Sequence, residues 1–414
     1  MSILSGRPNP EDVFTPRSSS VNPAMYVARK HLEDALISAL RGRLHIIIHG
    51  ESGTGKSWLY KKVLADEKAT YLIANFANAS RLGSITAELK NLLDRGGEAI
   101  KVGYEEEKQA GVNAAFATGS LSHTGQYSVG QMESFEACLC ALRQKAGRLP
   151  AVLVFDNLEA AFTEPLLKEL ADMLILCDDE RYAQYNVHVL IVGVPGGIKE
   201  YYYKTPHHHT VANRLYELPE VSRLMPDESR ELIHRGLIEE LSYTTHEMEK
   251  ITDHIDWVTD RVPQMLHEYG LELARLAEKE GRTLNTQMLD VADSSWMFRS
   301  LNHAYAVIEH HMNERDTKAG RRNQTLYALG TVDGEHFNAR DIEARLRKSF
   351  PSSTAETTLN VPQMVAQLAG GDRPLIKRSP KGDAYSFIDP RYRMVLRTML
   401  RARDERVVKR PMSR

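Results

Sequence analysis

Short apolar runs alternate with helical patterns over the first half of the chain. Four runs have the length and composition of buried strands, at residues 44–48, 71–75, 151–155 and 187–192. Between them, apolar residues recur at helical spacing in 57–66, 85–94, 132–145 and 164–176. Strands that alternate with helices predict a parallel sheet with helices on both faces, and therefore an α/β fold.

The pattern changes in the second half. Residues 225–311 are helical throughout, and from about residue 321 three helical stretches precede two short strands at 374–378 and 384–388. Three helices followed by a hairpin is the element order of a winged helix-turn-helix. Residues 1–23, rich in Ser, Pro and Asn, predict a flexible arm, and residues 97–130 predict an insertion that interrupts the strand–helix alternation.

Composition excludes several classes of protein. The 414 residues suffice for two or three domains, and no run approaches the roughly 18 apolar residues of a membrane span. Only three cysteines occur, without a C-x-x-C pair, which argues against a disulfide scaffold or a zinc ribbon. We therefore expect a reduced, cytoplasmic protein.

The small net charge of −2 hides an asymmetry between the two ends of the chain. Residues 301–414 hold 21 Lys and Arg against 13 Asp and Glu, a net +8, which leaves −10 for residues 1–300. A basic end on an acidic body predicts a surface for nucleic acid or another anionic partner, unless the charges only form a solvated face.

One glycine-rich segment predicts a phosphate site. Gly50-Glu51-Ser52-Gly53-Thr54-Gly55-Lys56-Ser57 fits G-x-x-x-x-G-K-[ST] between a strand and a helix. Glycines let successive N–H groups point at phosphate oxygens, and the helix N-terminus adds partial positive charge. Lys56 is predicted to neutralise the β/γ-phosphates of ATP and Ser57 to ligate Mg²⁺.

Two acidic residues after the third apolar run extend this site. Asp156 ends the run, at the strand tip where ligands of parallel sheets collect, and is predicted to hold Mg²⁺. Glu159 is the candidate for orienting the attacking water. If Glu159 instead caps the next helix, hydrolysis is slow and the protein acts mainly as a nucleotide-bound switch.

These motifs resemble the AAA+ P-loop ATPases of the origin-recognition and initiator-like branch, and are similar to transposition-helper and bacterial defence ATPases. The resemblance implies an ATPase core at 24–222, a helical lid at 223–311 and a winged helix with a basic tail at 321–414. It further implies that Arg29 brackets the adenine, that Arg214 reaches the γ-phosphate of a neighbouring subunit, and that Arg261 acts as a second sensor arginine. Three positions depart from the family pattern: Asn157 and Gln264 replace an acid and an arginine, and no polar sensor follows Gly193.

The leading hypothesis is an ATP-hydrolysing, homo-oligomeric protein whose nucleotide state controls self-assembly and association with double-stranded DNA. Lys377, Arg378 and Lys381 are the predicted phosphate contacts, with further arginines of the tail from Arg391 to Arg403 able to add to them. The alternatives are a signalling ATPase of the kind found in phage defence, whose winged helix binds a partner protein, and a nucleotide switch with negligible hydrolysis.

Overall fold

The computed structural model describes residues 7–95, 99–103, 133–193, 202, 210–312, 320–379, 382 and 384–410. The chain divides into two compact units. One comprises Arg17–Ser222, and the other comprises Met1–Pro16 together with Arg223–Arg414. In the described residues, no helix has the length and apolar character that crossing a membrane requires.

A six-stranded sheet forms the centre of the unit Arg17–Ser222. Its strands are β1 (His45–His49), β2 (Thr70–Asn75), β3 (Ile100–Val102), β4 (Ala151–Asp156), β5 (His188–Gly193) and β6 (Leu215–Glu217). They lie in the order β3-β2-β4-β5-β1-β6, and all neighbours pair in parallel except β3, which runs antiparallel to β2. The α/β fold predicted from the sequence is confirmed.

Helices cover both faces of this sheet, which is why its central strands are apolar on both sides. They are α1 (Lys30–Leu40), α2 (Lys56–Asp66), α3 (Phe76–Leu82), α4 (Ile85–Leu93), α5 (Ser134–Ala146), α6 (Glu164–Leu176) and α7 (Glu180–Ala183). Short 3₁₀ turns occupy Pro23–Met25, Leu158–Ala161 and Val211–Arg214. Within the predicted insertion, residues 100–102 form the edge strand β3, and most of the rest lies outside the described residues.

The second unit begins with helices that match the all-helical prediction for 225–311. They are α8 (Pro226–His234), a π-helical turn (Arg235–Glu240), α9 (Met248–Thr259), α10 (Pro263–Lys279), α11 (Met288–Ser300) and α12 (Asn302–His311).

Part of the segment 1–23, for which the sequence predicts a flexible arm, packs against this helical region. Residues Pro10–Val13 form a short helix, and the Phe14 ring is fully buried against Gly270, where a Cβ atom would lie 2.4 Å from the ring. The backbone N–H of Thr15 donates to His267 Nδ1 at 3.2 Å. Burial of an aromatic side chain holds this segment in place although its composition is polar.

The same unit continues through the basic end of the chain. Its elements are α13 (Arg321–Thr331), α14 (Ala339–Ser349), α15 (Pro351–Thr354), α16 (Val361–Leu368), β7 (Ile376–Arg378), β8 (Tyr385–Phe387), α17 (Pro390–Met399), β9 (Leu400–Arg403) and β10 (Arg406–Lys409). Strands β7 and β8 pair antiparallel, and Phe337 bridges to Tyr385. Helix α17 and the hairpin β9–β10 were not predicted from the sequence. The ranges predicted as lid and winged helix both lie within the unit that contains Arg223–Arg414.

Candidate nucleotide site

Glycine conformation shapes the loop between β1 and α2. Gly50, Gly53 and Gly55 have φ values of 150°, 83° and 90°, which side chains rarely allow. A Cβ atom at Gly50 would lie 2.2 Å from the carbonyl oxygen of Val221, so only glycine fits there. The apolar strand β1 fixes the start of the loop and the first turn of α2 fixes its end. The loop therefore has the backbone conformation that directs N–H groups inward.

Lys56 joins the two ends of this loop. Its Nζ donates to the carbonyl oxygens of Gly50 and Glu51, each at 2.8 Å. Burial lowers the pKa of Lys56, and the nearby carboxylates of Glu159 and Asp156 partly offset that effect. A partly desolvated ammonium group beside a helix N-terminus is a strong site for a phosphate.

Arg29 forms hydrogen bonds to the phosphate loop and to the segment that ends at Ser222. Its guanidinium donates to the Thr54 carbonyl through Nη2 at 2.7 Å and to the Ser222 carbonyl through Nη1 at 3.0 Å, and the residue is only 6% exposed. The Thr54 hydroxyl in turn donates to the Glu51 carbonyl at 2.8 Å. Arg29 thus stabilises the loop through its bond to Thr54, and the sequence did not predict this contact.

Asp156 lies at the carboxyl end of β4, as predicted, and both of its carboxylate oxygens are oriented. The hydroxyl of Tyr60, a buried residue on α2, donates to Oδ2 at 2.9 Å. The backbone N–H of Asn157 donates to Oδ1 at 2.8 Å. Tyr60 therefore ties the acid to the helix that carries Lys56, and sequence reasoning missed it because a tyrosine on a helix carries no local signal of this role.

Asn157 and Gly193 explain two departures from the family pattern. Asn157 has a φ of 61°, a left-handed conformation that asparagine tolerates better than most residues. This turn carries the chain into the 3₁₀ segment Leu158–Ala161. A Cβ atom at Gly193 would lie 2.9 Å from Leu158 Cβ and 3.6 Å from Glu159 Oε2. The glycine thus makes room for buried Leu158, and the Glu159 carboxylate lies at the end of β5.

The oxygen donors at this edge fit Mg²⁺. Ser57 is the second residue of α2, and Asp156 accepts a hydrogen bond from Tyr60 of the same helix. These two residues supply one hydroxyl and one carboxylate as possible Mg²⁺ ligands. A carboxylate has about four acceptor positions, so the bonds from Tyr60 and Asn157 leave capacity for a cation. No cluster of three or more His, Cys, Asp or Glu suited to a metal occurs among the residues described. Mg²⁺ commonly takes one or two protein oxygens and completes its shell with phosphate and water.

Replacement of Glu159 by glutamine is expected to leave ATP binding intact and to slow hydrolysis by roughly 10²-fold or more, because the amide cannot accept a proton from the attacking water. Steady-state phosphate release and equilibrium binding of a fluorescent ATP analogue measure the two effects. Glu164→Gln, an exposed change at the start of α6, is the control. Unchanged turnover in Glu159→Gln would remove this residue from the mechanism.

Arg214 lies near the amino end of β1, whereas the phosphate loop follows the carboxyl end of that strand. It immediately precedes Leu215, which pairs with His45 at the amino end of β1. The five residue steps from His45 to Gly50 span about 17 Å of extended strand. Arg214 Nε donates to Asp178 Oδ2 at 2.5 Å, and Nη1 donates to the Thr210 carbonyl at 2.8 Å. Arg214 is therefore distant from the phosphate loop of its own subunit.

The remaining predicted residues belong to the other unit. Arg261, with a φ of 55°, donates through Nε to the Leu224 carbonyl at 3.0 Å. Lys377 and Arg378 are exposed on β7, with the Arg378 guanidinium 5.8 Å from the centre of the Tyr385 ring. Lys381 lies outside the described residues.

A known family model matches most of the unit Arg17–Ser222. Residues 39–201 match the family model for the AAA domain. That range contains the phosphate loop, Asp156 and Glu159, so the expected AAA domain is confirmed over this part of the chain. The sequence matches no curated protein.

One solved structure shares the fold at low sequence identity, and two others match with lower TM-scores. The Walker-type ATPase PABY2304 of Pyrococcus abyssi is 16% identical with a TM-score of 0.54, and the alignment covers 93% of this chain and 99% of that one. The ORC2 protein of Aeropyrum pernix is 13% identical with a TM-score of 0.48, covering 93% and 96%. The ORC1 protein of the same organism, in complex with DNA, is 15% identical with a TM-score of 0.41, covering 94% and 96%.

Proposed function

Starting from an AAA-type P-loop domain, we propose that this protein binds and hydrolyses ATP with Mg²⁺ and that its nucleotide state controls self-assembly and association with double-stranded DNA. The observation that carries the proposal is the meeting of Lys56, Asp156 and Glu159 at one edge of the sheet. Lys56 and the loop N–H groups bind the β- and γ-phosphates. Ser57 and Asp156 hold Mg²⁺, which neutralises charge on the transferred phosphoryl group, and Glu159 orients the water.

The proposed association with DNA has separate support in the C-terminal region. Helices α13, α14 and α16, with the short helix α15 between the last two, precede the hairpin β7–β8, which is the element order of a winged helix. Phe337 bridges to Tyr385 of this hairpin. Lys377 and Arg378 extend from the hairpin into solvent. The exposed part of α16 carries uncharged residues such as Gln363 and Gln367, so phosphate contacts come from elsewhere in the region.

Steady-state ATP hydrolysis, measured while duplex DNA is titrated at two salt concentrations, tests this function. We expect DNA to stimulate hydrolysis at low salt and to lose that effect at high salt, because phosphate contacts release counterions. Hydrolysis that is indifferent to DNA would instead favour a signalling ATPase triggered by a protein partner. Bound ATP without hydrolysis would favour a nucleotide switch.

The variant Arg214→Ala tests whether one subunit contributes a residue to the ATP site of its neighbour. We expect Arg214→Ala to lower ATP hydrolysis by about 10³-fold, the lower end of the range for an arginine supplied to a transition state. Mixing this variant with Lys56→Ala, which is also expected to hydrolyse ATP slowly, should raise activity above that of either variant alone, since a mixed pair contains one intact loop facing one Arg214. Arg181→Ala, which removes an arginine paired with Glu136 in the same unit, is the control. A mixture no more active than its components would contradict action between subunits.

A further inference from the structure

The arginines of the basic tail separate into two groups with different environments. Arg393 and Arg397, on α17, are buried and bind the carboxylate of Asp260 at 3.1 and 2.9 Å. Arg391 pairs with Asp389 at 2.7 Å. These side chains thus have ion-pair partners within the fold, although the sequence analysis counted them among the arginines able to add phosphate contacts.

The arginines beyond α17 are displayed on the unpredicted hairpin β9–β10. Asp404 and Glu405 form its two-residue turn, and their φ values of 48° and 62° are those of a type I′ turn. In the antiparallel register, Arg403 pairs with Arg406 and Arg401 pairs with Val408. Because side chains alternate across a strand, these four residues share one face of the hairpin, which we call the arginine face.

Burial varies along both faces of the hairpin, and Ala402 and Lys409 are exposed on the face opposite the arginines. Leu400 is buried and Val407 is partly buried on that same face, whereas Arg403, Arg406 and Val408 are exposed. The Arg403 side chain is 79% exposed, with a long contact of 3.6 Å from Nε to Oδ2 of the still more exposed Asp404. Arg403 and Arg406 therefore present positive charge to solvent, whereas Arg401 is partly buried and donates through Nη1 to the Arg397 carbonyl at 2.8 Å.

Contacts at both ends fix the hairpin to the rest of its unit. At the tip, Glu405 Oε2 accepts from the backbone N–H of Ser353 at 2.9 Å, and the Glu405 carbonyl accepts from Gln324 Nε2 at 2.7 Å. At the base, Lys409 pairs with Glu309. The carboxylate of Glu405 is thus directed to α15, and the arginines are held on a rigid element rather than on a loose tail.

We propose that the arginine face of β9–β10, with Arg401, Arg403 and Arg406, binds the phosphate backbone of double-stranded DNA. This surface rests on the proposed DNA association and adds a contact separate from Lys377 and Arg378. The major groove of B-DNA, about 12 Å wide, admits a two-stranded ribbon. Arginine suits phosphate because its planar fork binds oxygens in pairs.

Two double variants that each remove two cations test the surface. Arg403→Ala/Arg406→Ala changes the arginine face, and Lys377→Ala/Arg378→Ala changes the hairpin β7–β8. Binding of a labelled mixed-sequence duplex to the full chain is measured by fluorescence anisotropy over a series of salt concentrations. We expect the arginine-face variant to bind more weakly and to lower the slope of log Kd against log salt by about 2. Thermal melting checks that both variants fold.

The charge-reversal variant Arg403→Glu/Arg406→Glu should weaken binding further than the alanine variant. Suppose that wild-type protein binds the duplex and that neither the alanine nor the glutamate double variant alters the affinity or the salt slope. The arginine face is then not the contact, and this proposal is overturned while the proposed DNA association stands. If wild-type protein does not bind duplex DNA at low salt, the DNA association and this surface both fail.

Discussion

Lys56→Ala is expected to reduce ATP hydrolysis by roughly 10²-fold or more and to weaken ATP binding strongly. The ammonium group is partly desolvated, and it lies near the loop carbonyls of Gly50 and Glu51 and the carboxylates of Glu159 and Asp156. In such a site a preorganised charge contributes far more than it does in water. Radiolabelled ATP binding and phosphate release measure both losses.

The control for this change is Lys62→Ala on the same helix. Lys62 pairs with Asp66 four residues on, and its side chain is 32% exposed, so its removal changes the charge but not the loop. Melting of Lys56→Ala without nucleotide shows whether the bonds to Gly50 and Glu51 also support the fold. If Lys56→Ala bound and hydrolysed ATP as the wild type does, the assignment of the phosphate loop would be wrong.

The second large effect concerns stability. Asp260 is 6% exposed and accepts from three guanidinium groups: Arg223 at 2.6 Å, Arg397 at 2.9 Å and Arg393 at 3.1 Å. Asp260→Asn leaves buried cations without their shared carboxylate, so we expect a loss of about 3–5 kcal/mol in the free energy of unfolding. Urea unfolding of the full chain, followed by the fluorescence of Trp257 and Trp296 in this unit, measures it.

The pH dependence of this effect follows from the pKa of Asp260. Burial would raise that pKa, but Arg397, Arg393 and Arg223 outweigh burial and hold it below the ordinary value. A carboxyl group with a lowered folded pKa contributes stability above its unfolded pKa, about 3.9, and loses it as the pH falls through the folded value. The difference between wild type and variant should therefore stay constant from about pH 5 to 8 and shrink in stronger acid.

Asp253→Asn provides the matched control. Asp253 pairs with Arg230 at 3.1 Å, and both side chains are more than half exposed. Exposed ion pairs contribute about 0–1 kcal/mol, so this change should be nearly neutral. A similarly small effect for Asp260→Asn would mean that the three arginines find other partners and that the buried cluster does not stabilise the unit.

The residues predicted for the nucleotide site carry local sequence signals. The strand, the glycines and the helix that form the loop are contiguous, and Asp156 is marked by the end of its apolar strand. Tyr60 and Leu158 were missed because their roles depend on contacts with Asp156 and Gly193, which the sheet topology creates.

The basic end was harder to interpret for the same reason. Arg393 and Arg397 have the spacing of an exposed helix face, yet they pair with an aspartate more than 130 residues earlier. Only the tertiary structure separates these structural arginines from Arg403 and Arg406, which remain in solvent.

The affinity for duplex DNA, compared between the ATP-bound and ADP-bound protein, tests the central claim most directly. We expect ATP to tighten binding by about tenfold, within the usual 5- to 150-fold range of coupling between two sites, and Lys56→Ala to abolish the difference. Equal affinity in the two nucleotide states would contradict the claim that nucleotide controls association with DNA.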